Sequence, residues 1–303
     1  MMQSKQPSLR PPPFQWGSEK RPTLSANMFR AFSICSIVLS CLEHRSFAHD
    51  FIAVFFDDQS AKELHADAPL PRALKAQVIR ILHEAGARGL VLKFFEDLPS
   101  DEEQDRTYAN ALCLLPTTLQ ACLCLDGSTN VLADQFYITQ TNRIRLRSVI
   151  SDKQGYMPLP QFSACARGLG FVDLERPDGI PLIEKYQERL VKSLYVTALE
   201  LETRERADYS SGTNVVFGNQ SLSFNELGEH PITGELEKLE YIPFHHVLQG
   251  TVAREKFRGK IVILGYDGAR IHGIKTPWGE IKAHRLFVQS LLALTRDLER
   301  VRK

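Results

Sequence analysis

The sequence of 303 residues lacks the short motifs that identify many enzymes and metal-binding proteins. It contains no GxSxG, no HExxH, no Walker loop, no GxGxxG after a predicted strand, and no CxxC pair. The net charge of +1 provides neither the basic excess typical of nucleic-acid binding nor the acidic excess typical of disorder. No apolar run reaches about 18 residues, so there is no clear transmembrane helix. We therefore expect no cofactor, no bound metal and no nucleic-acid partner.

The N-terminal part of the chain differs in composition from the rest. Residues 1–27 are polar and proline-rich, which predicts either a disordered extension or a wrongly assigned start of translation. Residues 28–48 contain an apolar stretch followed by the small residues SFA, which would allow cleavage after Ala48. This pattern is typical of a signal peptide, and the alternatives are a short buried helix or an uncleaved membrane anchor. Because VLSC resembles a bacterial lipobox, lipidation of Cys41 is a further alternative.

From residue 49 onward, apolar strands alternate with amphipathic helices. DFIAVFFDD and GLVLKFFED predict strands on either side of a helix in PRALKAQVIRILHEAGAR, and such a unit predicts a pair of parallel strands. KIVILGYDG predicts a later strand, IKAHRLFVQSLLALTRDLERV a closing helix, and YQERLVKSLYVTALELETRERA one long helix. The fold class is therefore α/β, a mostly parallel sheet with flanking helices and antiparallel additions, in a single domain of residues 49–303.

Acidic residues follow three of the predicted strands. Asp57 and Asp58 follow the first strand, Glu96 and Asp97 follow the second, and Asp267 follows the last strong strand. Ligands of open α/β sheets gather at the carboxyl ends of the strands, so these carboxylates predict a site if the strands are neighbours. Such a cluster could hold Mg²⁺ or hydrogen-bond a polar ligand. The alternative is the ordinary use of aspartate in turns and helix caps.

Four of the six cysteines lie in the predicted domain, namely Cys113, Cys122, Cys124 and Cys165. We expect them to be small buried apolar side chains. A disulfide that involves Cys113 or Cys165 is the alternative, provided that the domain lies outside the cytoplasm.

Several short motifs follow one another along the chain, namely FFDDQS, PLPR, HEAGARGLVL, LPSDEEQD, GFVDLERPDG, FRGKIVILG, TP at 276–277, and AHRLFVQSLL. Their order resembles that of the CHASE2 family of extracytoplasmic sensory domains. They span residues 50 to 295 in the family's order, and the ordered set is more specific than any single motif. The resemblance implies an extracellular or periplasmic α/β module that senses an unknown small molecule. Transmembrane helices and an output domain usually follow such domains, whereas this sequence stops at Lys303, directly after the predicted closing helix. We therefore expect a free-standing member.

Carried over by position, the resemblance also implies a set of ligand-contacting residues. The set is Asp57, Asp58, Ser60, Arg72, Asp178, Gly179, Thr276 and His284. The argument from strand ends adds Asp97 and Asp267. Two departures from the family pattern bear on such a pocket: Lys93 stands where the family commonly has aspartate, and Pro181 stands near an expected arginine.

The main functional prediction is a non-catalytic extracytoplasmic sensory module that binds a small solute or docks to a membrane receptor protein. It would be exported, and either periplasmic or membrane-anchored. One alternative is an exported metal-dependent hydrolase that uses Asp57, Asp58 and Asp97. Another is a degenerate domain that serves only in interactions, which would fit the departures at Lys93 and Pro181.

Overall fold

A six-stranded parallel sheet organises the chain. The computed structural model describes residues 50–123, 136–139, 144–147, 156–172, 179–186, 189–232 and 235–301. The strands are β1 (Phe51–Phe56), β2 (Gly89–Leu92), β3 (Thr117–Ala121), β4 (Ala166–Phe171), β5 (Gly179–Pro181), β6 (Ile183–Tyr186), β7 (Arg189–Lys192), β8 (Asn214–Phe217), β9 (Gln220–Ser223), β10 (Glu229–Pro231), β11 (Tyr241–Pro243), β12 (Ile261–Tyr266), β13 (Gly273–Thr276) and β14 (Gly279–Lys282). The helices are α1 (Asp58–Glu63), α2 (Arg72–Glu84), α3 (Glu102–Leu112), α4 (Pro160–Ser163), α5 (Leu194–Thr203), α6 (Phe244–Leu248) and α7 (Ala283–Val301).

The strand order of the large sheet is β11-β1-β12-β2-β3-β4, and every neighbouring pair in it is parallel. The α/β class with a mostly parallel sheet is therefore confirmed. The expected pairing of β1 with β2 is wrong, because β12 lies between them: Ala53 is opposite Ile263, and Ile263 is opposite Val91. β12 is almost wholly buried and apolar, which suits a central strand of a parallel sheet.

The two faces of the sheet are covered by different helices. Along β1, Val54 and Phe56 belong to one buried cluster, which also contains side chains of α2 and α3. Ala53 and Phe55 belong to a second cluster, which contains side chains of α5 and α7. Successive side chains of a strand point to opposite faces, so the continuous apolar run of β1 is buried on both sides.

Two of the sequence predictions need correction. The segment predicted as one long helix around residues 186–207 forms the β6–β7 hairpin and the ten-residue helix α5. α5 is buried on nearly all sides rather than amphipathic, since both the sheet and α7 cover it. The sequence ARGLGFVDLERPDGIPLIEKY predicts a loop-rich hairpin with its turn at 177–179, yet the segment that begins at Ala166 forms β4, which pairs in parallel with β3.

The smaller sheets are antiparallel, as expected. They are the β6–β7, β8–β9 and β13–β14 hairpins and the pair β5–β10. Among the helices of the described ranges, none combines the length and the apolar character that a membrane span requires.

A disulfide joins Cys113, just after α3, to Cys165, just before β4, with the two Cα atoms 4.8 Å apart. The expectation of buried thiols is therefore wrong for these two residues, and the alternative, a disulfide, is present. No local sequence pattern predicts this pairing, because 52 positions separate the two cysteines.

Candidate functional site at the carboxyl end of the sheet

The carboxyl ends of β1 and β12 lie side by side, with Phe56 opposite Tyr266. The chain leaves them toward opposite faces of the sheet. After β1 it enters α1 and α2 on one face, and after β12 it passes through the β13–β14 hairpin to α7 on the other face. Crevices of open α/β sheets form where neighbouring strands diverge in this way, and ligands commonly bind there.

Asp57 caps the N-terminus of α1. Its Oδ1 accepts a hydrogen bond from the backbone N–H of Ser60 at 2.8 Å, which is the usual role of aspartate at an N-cap. Its Oδ2 accepts a hydrogen bond from the hydroxyl of Tyr241 at 3.1 Å. Burial, together with the negative charge of Asp57, raises the pKa of Tyr241. Both carboxylate oxygens of Asp57 are therefore used to hold α1 against β11.

Asp58, the second aspartate of the pair, is exposed. Its Oδ1 accepts a hydrogen bond from the backbone N–H of Ala269 at 2.9 Å. Since Ala269 belongs to the loop after β12, this contact ties the start of α1 to that loop.

Ser60 is fully buried and contacts His245 on α6. The backbone N–H of His245 donates to the Ser60 oxygen at 3.4 Å, and the Ser60 hydroxyl also forms a hydrogen bond with His245 Nδ1 at 2.9 Å. No sequence pattern predicts this contact, because the two residues lie 185 positions apart.

Asp267 is deeply buried, with only 3% of its surface exposed. Arg285 on α7 binds it with two hydrogen bonds, from Nε at 2.9 Å and from NH2 at 2.6 Å. This contact with Asp267 raises the pKa of Arg285. The Arg285 guanidinium also lies 5.3 Å from the centre of the Tyr241 ring, so it connects Asp267 to the tyrosine that binds Asp57. Sequence reasoning missed both Arg285 and Tyr241.

His284 is held in its neutral form. Its Nδ1 accepts a hydrogen bond from the backbone N–H of Tyr266 at 2.9 Å, so this nitrogen carries no proton. Burial and the positive charge of Lys93 lower the pKa of His284 well below its usual value. The space is tight, since a Cβ on Gly265 would lie 3.1 Å from His284 Nδ1.

Lys93, the departure from the family pattern, is buried, and its ammonium lies 4.7 Å from the centre of the Phe287 ring. A cation over an aromatic face is stabilised electrostatically. The lysine therefore contributes positive charge beneath the crevice, next to His284.

Arg72 belongs to a different cluster, behind the carboxyl end of β2. It forms ion pairs with Asp105 and with Glu96, the latter at 3.6 Å. Lys75 also pairs with Glu96, and the Tyr108 hydroxyl donates to Glu96 at 3.0 Å. Burial lowers the pKa of Lys75, while the neighbouring Glu96 opposes that shift. All five side chains are buried, and the two cations balance the two carboxylates.

The remaining predicted residues are dispersed. Asp97 is partly buried in the loop after β2. Thr276 lies in the β13–β14 turn, where its hydroxyl donates to the Gly279 carbonyl at 2.7 Å. Gly179 lies in β5, opposite Pro231. Asp178 and Cys41 lie outside the described residues.

Within the described ranges, no group of three or more histidine, cysteine, aspartate or glutamate side chains is arranged to hold a metal ion. The proposed cluster of Asp57, Asp58 and Asp97 is therefore not such a group. The hydrogen bonds of Asp57 and Asp58 to Ser60 and Ala269 account for these two aspartates as loop and helix contacts.

The doubly covered parallel sheet, with small antiparallel additions, defines an α/β domain whose polar residues converge at a strand-end crevice. A family model of the CHASE2 domain matches residues 28–298. The chain therefore belongs to the CHASE2 family, whose members are extracytoplasmic sensory domains, as the resemblance implied. The matched range includes the segment predicted as a leader. Searches of the curated proteins and of the solved structures found no match.

Proposed function

We propose that this chain is a non-catalytic extracytoplasmic sensory module that recognises a small solute or a membrane partner protein. One observation carries the proposal: the polar residues at the strand-end crevice bind one another across loops. Asp58, the first residue of α1, binds the loop after β12, and Arg285 on α7 binds Asp267, directly after β12. A solute that replaced any of these contacts would move α1 or α7, which is how a sensor could convert binding into a change of shape.

The same geometry argues against catalysis at this crevice. A nucleophile needs an adjacent base that can accept its proton. Ser60 is fully buried, and Nδ1 of His284 is occupied by the Tyr266 N–H. Neither residue is placed as an accessible nucleophile or base.

An exported location is supported by family membership and by the Cys113–Cys165 disulfide. Disulfides persist in oxidising compartments and are rare in the cytoplasm. We propose that the domain acts in the periplasm or on the outer side of a membrane, either free or anchored through residues 28–48.

Docking to a membrane partner is supported by two exposed apolar side chains. Phe95 and Leu98, on the loop after β2, are 46% and 68% exposed. The double substitution F95S/L98S should abolish chemical cross-linking to such a partner in intact cells. L114S is the control, since Leu114 is an exposed apolar residue elsewhere on the domain.

Fractionation of expressing cells, followed by mass spectrometry of the mature N-terminus, tests the location. A start at His49 in the periplasm or medium supports a soluble exported module. A lipid on Cys41 supports a membrane-anchored module. An intact N-terminus in the cytoplasm contradicts the proposal.

Solute recognition at the crevice is tested by thermal melting of the full chain against a library of small solutes. A ligand at about a hundredfold excess over Kd adds about 2.7 kcal/mol to the free energy of unfolding. If the crevice is the site, D58N should weaken the stabilisation, while E84Q, on the exposed side of α2, should leave it unchanged. Equal stabilisation of both variants would place the solute elsewhere.

A further inference from the structure

A polar cavity lies on the α5 side of the sheet and includes none of the predicted ligand residues. We call it the α5 cavity. It is lined by Tyr137, Ile138, Thr139, Arg167, Lys192, Glu200, Glu205, Arg206, Ala207 and Tyr209. Its volume of about 460 Å³ falls within the range of about 300–1,000 Å³ that is typical of small-molecule sites.

An ion pair between β7 and α5 forms one wall of the α5 cavity. Lys192 Nζ donates to Glu200 Oε1 at 3.0 Å and to Oε2 at 2.8 Å. The backbone N–H of Ala207 donates to the same Oε1 at 3.1 Å. The charge of Glu200 is therefore already compensated. An ammonium group has three N–H donors, and the third donor of Lys192 has no partner among the described residues.

Two arginines at the cavity add positive charge. Arg167, on β4, and Arg206, after α5, are exposed, and neither forms an ion pair or side-chain hydrogen bond within the described ranges. Glu205 is the remaining carboxylate of the lining. With Glu200 neutralised by Lys192, two arginines face one glutamate, so the cavity has a net positive charge. Arginine binds carboxylates through two parallel hydrogen bonds, which makes it well suited to organic anions.

The backbone that presents Arg206 has an uncommon conformation. Arg204, at the end of α5, has φ 62° and ψ 11°, in the left-handed region that glycine favours. This turn directs residues 205–207 toward the cavity rather than along the helix axis. Left-handed non-glycine residues cost free energy and cluster at ligand-binding positions.

Aromatic and apolar side chains provide the rest of the lining. Tyr209 and Ile138 are both buried. The guanidinium of Arg189 lies 3.4 Å from the centre of the Tyr137 ring, which restricts the orientation of that ring. A ligand for this cavity would thus combine an anionic group with an apolar or aromatic body.

We infer that the α5 cavity binds a small organic carboxylate, which Arg167, Arg206 and the third N–H of Lys192 hold by its anionic group. The body of the ligand packs against Tyr137 and Tyr209. This inference rests on the proposed function of a solute sensor, and it gives the solute a place and a chemical class.

The test is calorimetric titration and thermal melting of the full chain with benzoate, 4-hydroxybenzoate and succinate. Two control ligands are used: benzamide, which is neutral, and inorganic phosphate, which is anionic but has no organic body. At least one carboxylate should bind and raise Tm more than benzamide or phosphate does. Each charged hydrogen bond that is lost weakens binding about tenfold or more, so R167Q/R206Q should raise Kd of that carboxylate by at least about tenfold.

The control is R80Q, which removes an exposed arginine from α2, on the other face of the sheet. R80Q should bind the carboxylate as the unchanged protein does. The inference is overturned if none of the three carboxylates binds, or if R167Q/R206Q binds them with unchanged Kd. A solute from the wider library whose binding depends on Asp58 and not on these arginines would also overturn it, while the proposed sensory function would stand.

Discussion

The two ends of the parallel sheet both bring charged side chains together, but they pair them differently. At the carboxyl end, Asp267 has a two-bond contact with Arg285, and Asp57 caps a helix. At the amino end, the side chains that precede β1, β2 and β12 meet the end of α5. There Arg88 contacts both Asp50, at 3.4 Å, and Glu202.

The amino-end group is incompletely paired. Lys260 Nζ lies 3.4 Å from Asp50, yet Glu202 Oε1 and Arg88 Nε are buried without a hydrogen-bond partner among the described residues. Burial raises the pKa of Glu202 to about 7, since the negative charge of Asp50 adds to the effect of burial and Arg88 only partly opposes it. The comparison indicates that the charged groups at the carboxyl end are fully paired at neutral pH. At the amino end, Glu202 changes its protonation state near that pH.

The largest effect should come from breaking the pairing behind the carboxyl end of β2. E96A would leave the buried cations Arg72 and Lys75 with a single carboxylate, that of Asp105. Removing one partner of a buried ion pair costs about 3–5 kcal/mol, so we expect a loss of that size in the free energy of unfolding. Urea denaturation measures it.

The matched control is E84A, because Glu84 pairs with Arg254 on the surface, where both side chains are more than half exposed. Such a pair contributes about 0–1 kcal/mol. Equal losses in E96A and E84A would show that complete pairing is not what fixes this region.

A somewhat smaller effect should follow from removing the covalent link at the amino ends of β3 and β4. C113S/C165S opens a loop whose ends are separated by 52 positions, and native disulfides of this kind contribute about 2–4 kcal/mol. Reducing agent should lower Tm of the unchanged protein by more than it lowers Tm of C113S/C165S, in which only the disulfide of Cys122 remains. An equal response of the two proteins would contradict this assignment.

The pH dependence of stability should sharpen the contrast between the two ends. The pKa of Glu202 is about 7 in the folded protein and 4.5 in the unfolded chain. Between these pH values the folded state therefore binds more protons than the unfolded state. The contribution of Glu202 is fully present below about pH 4.5 and is lost as pH rises through about 7. At 1.36 kcal/mol per pKa unit, the loss is at most about 3 kcal/mol.

Urea denaturation at several pH values, from about 5 to about 8, measures this slope. E202Q should remove most of it, because glutamine stays neutral throughout. E84Q, an exposed change, should keep it. An unchanged slope in E202Q would assign the pH dependence to another group.

The smallest effect should come from Asp58, whose contact with Ala269 is at the surface. D58N keeps an oxygen that can accept from the Ala269 N–H, so the free energy of unfolding should fall by about 0.5–1 kcal/mol or less. D58A, which lacks the acceptor, should cost more than D58N. Hydrogen exchange of the Ala269 amide would show whether the loop after β12 opens in D58A.

Only some of the polar residues at this site could be predicted from the sequence to lie close together. Asp57 and Asp267 could be placed at one edge of the sheet, because both follow apolar strands. Their partners could not: Tyr241 lies in a segment with no motif of its own, and Arg285, although it lies in the AHRLFVQSLL motif, was not among the residues that the resemblance singled out. Arg72 belongs to the PLPR motif, from which the resemblance implied a ligand contact. Its side chain instead joins the buried cluster behind β2.

By itself, the sequence determined the kinds of elements and their order. Apolar runs such as that of β12 specify buried strands, and the spacing of apolar residues specifies α2 and α7, because these patterns depend on residues a few positions apart. The tertiary structure alone decided that β12 lies between β1 and β2, that Ser60 meets His245, and that Glu202 shares Arg88 with Asp50. Such contacts depend on which elements become neighbours when the two faces of the sheet are covered, and local periodicity carries no information about that choice.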